Sequence, residues 1–169
     1  MIKSYNGKTP IIAESTFVSE TAYIIGDVEI GEDCGIWPGV IIRGDFAPIK
    51  IGRGTDIEDN SVIHTATPME IGDNIIIGHG VVMHGQKIGH NTLVGNNATI
   101  LDEAEIGDNC IIAAGCVVTE RMKIPDQSFV TGIPAKIKAK ITADQMAKFD
   151  KHDVYYSKEL KQAYKEQGL

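Results

Sequence analysis

A six-residue period constrains this chain more than any other feature. Aliphatic residues recur at Val18, Ile24, Ile30, Ile36 and Ile42, resume at Ile51, Ile57 and Ile63, and again at Ile71, Ile77 and Met83. From Ile88 the count runs unbroken through Val94, Ile100, Ile106, Ile112, Val118 and Ile124 to Val130. Four places after many of these stands a small, medium or hydroxyl-bearing side chain, as at Ala22, Cys34, Thr55, Ser61, Ala98 and Cys116. No α-helix repeats its apolar face every six residues, because its period is near 3.6. One short strand plus one corner does. The aliphatic residue points inward, its neighbour outward, and Gly, Asn or Asp takes the corner. Three such units make a triangular coil of about 18 residues, and stacked coils pair as parallel strands about 4.8 Å apart. The nineteen hexads predict about six coils.

The period therefore predicts an all-β solenoid over residues 1–140, including a short N-terminal lead-in. From Thr142 the texture changes to TADQMAKFDKHDVYYSKELKQAYKEQ, which has no hexads. Thr142 and Gln145 are spaced as a capping box. Phe149, Asp153, Tyr156, Leu160 and Ala163 share one helical stripe, apolar except at Asp153. Residues 141–169 are expected to form a C-terminal α-helix packed along the solenoid.

Composition narrows the function classes. A net charge of −7 argues against nucleic-acid or anionic-membrane partners, which reward a basic surface. No apolar run is long enough to cross a bilayer. The opening MIKSYNGKTP lacks the layout of a signal peptide, so a cytoplasmic location is expected. Cys34, Cys110 and Cys116 form an odd set without CxxC spacing, and all occupy the small inward position. They read as core packing rather than disulfides or a cysteine zinc site.

The period breaks three times. Three extra residues fall between Ile42 and Ile51 and two between Ile63 and Ile71, and one is missing between Met83 and Ile88. Loops in a regular solenoid often gather on a functional face. Counting coils places Ile42, Ile63 and Met83 above one another, so the outward residues that follow, Arg43, His64 and His84, form one column. His64 and His84 should lie about one strand spacing apart, near 4.8 Å, which suits two imidazoles sharing an ion. The same count stacks His79 over Asp59, with Glu58 beside it, on a different face. In a homotrimer with three-fold symmetry, the His64/His84 face of one subunit can meet the His79 edge of the next. Three imidazoles suit Zn²⁺, whose catalytic sites keep a position for water and lower its pKa to about 7. His90 and His152 read as solvated or hydrogen-bonded side chains.

At these residues the sequence resembles the γ-class carbonic anhydrases and their relatives among the hexapeptide-repeat proteins. The matching words are RGD at 43–45, IEDNSVIH at 57–64, IGHGVVMHG at 77–85 and VTGIPAK at 130–136. The resemblance covers residues 18–135 and implies a left-handed parallel β-helix. It implies that His64 and His84 of one subunit and His79 of its neighbour hold Zn²⁺, Fe²⁺ or Co²⁺. It further implies that the metal's hydroxide hydrates CO₂ reversibly to bicarbonate. Arg43, Asp45 and Asp59 match the family's interface ion pairs, and Arg43 is expected to orient bicarbonate, a task suited to a planar guanidinium. Tyr156, or Tyr155, takes the place of the family's tyrosine near the metal. Three features depart from the pattern. Glu58 stands where the family has glutamine, and is expected to act as a base or proton relay or to hamper bicarbonate binding. Phe46 and Thr67 stand where one branch carries shuttle glutamates, which implies slow turnover or another proton route. The tyrosine's alignment is open between two positions. Two other functions fit the repeat: an acyl-CoA-dependent acyltransferase with one histidine as base, and a non-catalytic trimeric metal-binding scaffold.

Overall fold

The computed structural model describes residues 1–142, 144, 145 and 159–168. Strands stack into a parallel β-solenoid of about seven turns. One sheet holds twelve strands and the other eight. Most strands are two residues long, the length a six-residue strand-plus-corner unit leaves.

The inserted residues appear directly in the pairing. Ile42 pairs with Ile63, Ile63 with Met83, Met83 with Ile100 and Ile100 with Val118. Those steps are 21, 20, 17 and 18 residues, a regular turn lengthened or shortened at each break. Each of these five side chains is fully buried. Burial of an aliphatic side chain of this size stabilises the fold by about 1.5–3 kcal/mol, so a register slip at any coil is costly. Cys34, Cys110 and Cys116 are free and buried in the same core, and burial pushes all three thiols up.

Corners recur in the left-handed backbone region. Asn60, Asn74, Asn91, Asn97 and Asn109 all have φ between +52° and +61°, where asparagine is tolerated best after glycine. Asn74 donates to Asn91 and Asn91 to Asn109, so the corners are also hydrogen-bonded along the stack.

Two regions go beyond the repeat. The N-terminal lead-in is itself part of a coil: Ile2–Lys3 and Ile11–Ile12 pair in parallel with Tyr23–Ile30. This accounts for the turn that the hexads alone do not count. At the other end, the Thr142 N–H donates to Gln145 Oε1 at 2.9 Å and the Gln145 N–H to Thr142 Oγ1 at 3.3 Å, the reciprocal pair of a capping box. The helix Lys161–Gln167 lies against the eight-stranded sheet. Tyr164 packs on Phe17 and Trp37, with ring centroids 5.7 and 5.3 Å away. Lys161 Nζ is buried, 3.4 Å from Asp56 Oδ1, and donates to the Asp33 carbonyl. Gly35 makes room for this ion pair, since a Cβ there would sit 2.0 Å from Asp56 Oδ1. Phe149, Asp153 and Tyr156 of the expected stripe lie outside the described residues, whereas Leu160 and Ala163 are half-buried.

Candidate metal centre

The longest strand, Ile41–Ile51, contains the first insertion and the RGD word. Alternation turns Ile42 inward and Arg43 outward. Gly44 is required by the neighbouring coil, because a Cβ there would sit 2.4 Å from the Asp27 carbonyl oxygen.

Five side chains from four successive coils then form one continuous line. Arg43 Nη1 donates to Asp45 Oδ2 at 3.0 Å. The other oxygen, Asp45 Oδ1, is 3.0 Å from His64 Nε2. His64 Nδ1 is 3.1 Å from His84 Nε2, with ring centroids 5.0 Å apart, one strand spacing. His84 Nδ1 is 2.6 Å from Asp102 Oδ1. Phe46 presents its edge to His64 with centroids 6.2 Å apart, although it is 80 % exposed. The Arg43–His64–His84 column expected from coil counting is thus present.

His79 stands elsewhere. It follows Ile76–Ile77, a strand of the eight-stranded sheet, whereas His64 and His84 belong to the twelve-stranded one. Its Nδ1 is 3.0 Å from Asp59 Oδ2 and its Nε2 is 3.2 Å from Glu58 Oε2. The His79 side chain is 49 % exposed, while Glu58 is buried. His90 serves a corner, its Nδ1 accepting the Asp73 N–H at 2.9 Å. Tyr155, Tyr156 and His152 lie outside the described residues.

The donor chemistry of the His64–His84 line fits a cation. Three contacts, Asp45–His64, His64–His84 and His84–Asp102, call for three N–H groups, whereas two neutral imidazoles carry two. With both rings neutral, one contact sets lone pair against lone pair, which a cation between the groups would relieve. Burial pushes the His64 imidazole below the ordinary histidine range; the Arg43 guanidinium pushes the same way and Asp45 opposes. Two nitrogens bound to a tetrahedral Zn²⁺ at about 2.0–2.1 Å stand about 3.3 Å from each other. The observed 3.1 Å matches two positions of such an ion. Among the described residues no three His, Cys, Asp or Glu side chains of one chain gather closely enough to hold a metal.

Coil counting placed Arg43, His64 and His84 in this line, the family resemblance supplied Asp45, and neither gave Asp102. At this step the turn is shortened to 17 residues, so the count stacks Leu101 on His84 and leaves Asp102 one place further along.

The family described as "Bacterial transferase hexapeptide (six repeats)" matches residues 87–120. The chain is 37% identical over 158 residues to "Gamma carbonic anhydrase 1, mitochondrial" of Arabidopsis thaliana, covering 89% of this chain and 58% of that protein. It is 40% identical over 159 residues to the "Probable carbonic anhydrase" of Methanocaldococcus jannaschii, covering 92% of this chain and 100% of that protein. The chain spans about half the length of the first curated relatives it matches. A solved hexapeptide transferase family protein from Anaplasma phagocytophilum superposes with a TM-score of 0.91 at 32% identity, covering 96% of this chain and 97% of that one.

Proposed function

The chain belongs to the γ-class carbonic anhydrase-like family of hexapeptide-repeat proteins, and on that premise we propose that it hydrates CO₂ reversibly to bicarbonate with a divalent metal, at sites shared between subunits of a homotrimer. The observation that carries this reading is the His64–His84 pair, set at the nitrogen spacing of a tetrahedral ion and backed by a carboxylate on each side. His64 and His84 would hold the metal, with His79 of a neighbouring subunit as the third ligand. Zn²⁺ is the metal this donor set favours, with Fe²⁺ and Co²⁺ as alternatives. When bound, such a cation supplies a Lewis acid that makes water a nucleophile near neutral pH.

The protein's own groups do the rest. Asp45 holds the His64 ring with one oxygen and Arg43 with the other, so the guanidinium and the imidazole keep a fixed relation. Arg43 has further N–H groups for the planar bicarbonate anion. Asp59 holds Nδ1 of His79, which leaves Nε2, facing Glu58 in the single chain, as the nitrogen to reach a neighbouring subunit's metal. Glu58, 3.2 Å from that Nε2, is the carboxylate suited to accept the proton released as water adds to CO₂. Tyr156, or Tyr155, is the residue we propose for the tyrosine near the metal. Among the described residues no helix is long and apolar enough to cross a membrane. We assign the protein to the cytoplasm, whereas the plant relative is named for the mitochondrion.

A second reading, acyl transfer from acyl-CoA, is favoured by the likeness to a solved structure named for the hexapeptide transferase family. Metal analysis and stopped-flow CO₂ hydration separate the two. About one metal per subunit together with bicarbonate formation, both lost in His79→Ala, supports the hydratase. A metal-free folded protein that turns over acyl-CoA contradicts it.

A further inference from the structure

We infer that Asp102 is a positioning residue for the metal centre, fixing the tautomer of His84; this rests on the metal-site reading above. The Asp102 carboxylate is 2.6 Å from His84 Nδ1, the shortest contact in the line. A carboxylate accepts hydrogen bonds and donates none, so Nδ1 carries the hydrogen. In a neutral ring this leaves Nε2 with its lone pair, and Nε2 is the atom that meets His64. An imidazole held this way is turned towards its ion and made more basic, so removal of the carboxylate weakens metal binding.

The backbone that carries the carboxylate is fixed in place. Asp102 lies in a corner closed by the Ala104 N–H on the Leu101 carbonyl, with Glu103 in the left-handed region at φ +58°. The next coil fixes that corner, since the Arg121 N–H donates to the Asp102 carbonyl at 2.9 Å. Its neighbour Glu103 faces a different partner, Arg121, at 3.3 Å. Two adjacent acidic residues of one corner thus have separate tasks, and Glu103 is the built-in control.

The test compares the full-length protein with Asp102→Ala, Asp102→Asn and Glu103→Ala. Zn²⁺ affinity is measured by competition with a chromophoric chelator, and the His84 tautomer by ¹⁵N NMR of the metal-free protein. Asp102→Ala should weaken Zn²⁺ binding about 10- to 100-fold. Asp102→Asn should lose less, because its amide oxygen still accepts the Nδ1 hydrogen, and Glu103→Ala should match the wild type. The wild-type ring should show the Nδ1–H form and Asp102→Ala a mixture. A wild type that binds Zn²⁺ while Asp102→Ala binds it equally well, with an unchanged tautomer, overturns this inference and leaves the metal site standing. A wild type that takes up no Zn²⁺ overturns the metal site and this inference with it.

Discussion

The His64–His84 face and the His79 corner are built from the same repeat, yet they differ in how far one chain completes them. On the first, two imidazoles touch each other and each is backed by a carboxylate from an adjacent coil. On the second, one half-exposed imidazole rests between Glu58 and Asp59, with no second imidazole beside it among the described residues. The difference follows from where the columns fall. Arg43, His64 and His84 directly succeed inward residues of one sheet, whereas His79 lies two places after an inward residue of the other. A solenoid face can bring together only residues one coil apart, so a third imidazole from another face needs another chain.

The largest effect expected from breaking this contrast is at the paired face. His64→Ala or His84→Ala should lower metal affinity more than 100-fold, roughly the loss of a whole ligand rather than its support. Metal content of the purified protein and chelator competition measure it. His79→Ala should also empty the site, but it should leave the remaining pair able to take up metal weakly at high concentration. Titration with Zn²⁺ separates the two outcomes.

Glu58→Gln sharpens the contrast on the chemical side. It should lower turnover about 100-fold at low buffer concentration, the scale of one general base. Raising the concentration of an imidazole buffer should restore much of the rate, whereas a purely structural loss would not respond to buffer. Lys161→Met tests a part of the molecule remote from the reaction. The Lys161 and Asp56 side chains are 6% and 2% exposed, so the change removes a buried ammonium from a buried carboxylate that the Trp37 indole N–H also serves. It should destabilise the fold by about 3–5 kcal/mol, read by urea denaturation. The smallest effect belongs to the thiols. Cys34, Cys110 and Cys116 should resist alkylation in the native protein and react only after unfolding, because they are buried and their thiols are shifted away from the thiolate.

Much of this was legible in the sequence because a fixed period turns residue number into position. The breaks at 42–51, 63–71 and 83–88 could be subtracted, which placed Arg43, His64 and His84 in one column and His79 over Asp59. The capping box at Thr142 and Gln145 was legible for a local reason, since both partners lie within one helical turn. The Asp102 contact was harder, because acidic residues are common at corners and the period does not say which one turns towards a histidine. Ile12 continues the register six residues before Val18 but Ile2 does not, and with only one hexad in step the first coil was read as a lead-in. Lys161 and Asp56 are far apart in the chain, and a stripe drawn from Phe149 does not include Lys161. Its burial depends on tertiary packing that no local pattern encodes.

The central claim is that a working site takes His64 and His84 from one chain and His79 from another. It is tested by mixing His64→Ala and His79→Ala subunits, unfolding and refolding them together, and measuring bound metal. Neither variant alone should retain it. Random co-assembly into trimers should restore about one quarter of the wild-type metal per subunit, because one pairing in four joins an intact pair to an intact His79. Mixed trimers that bind no more metal than either parent would contradict the shared site.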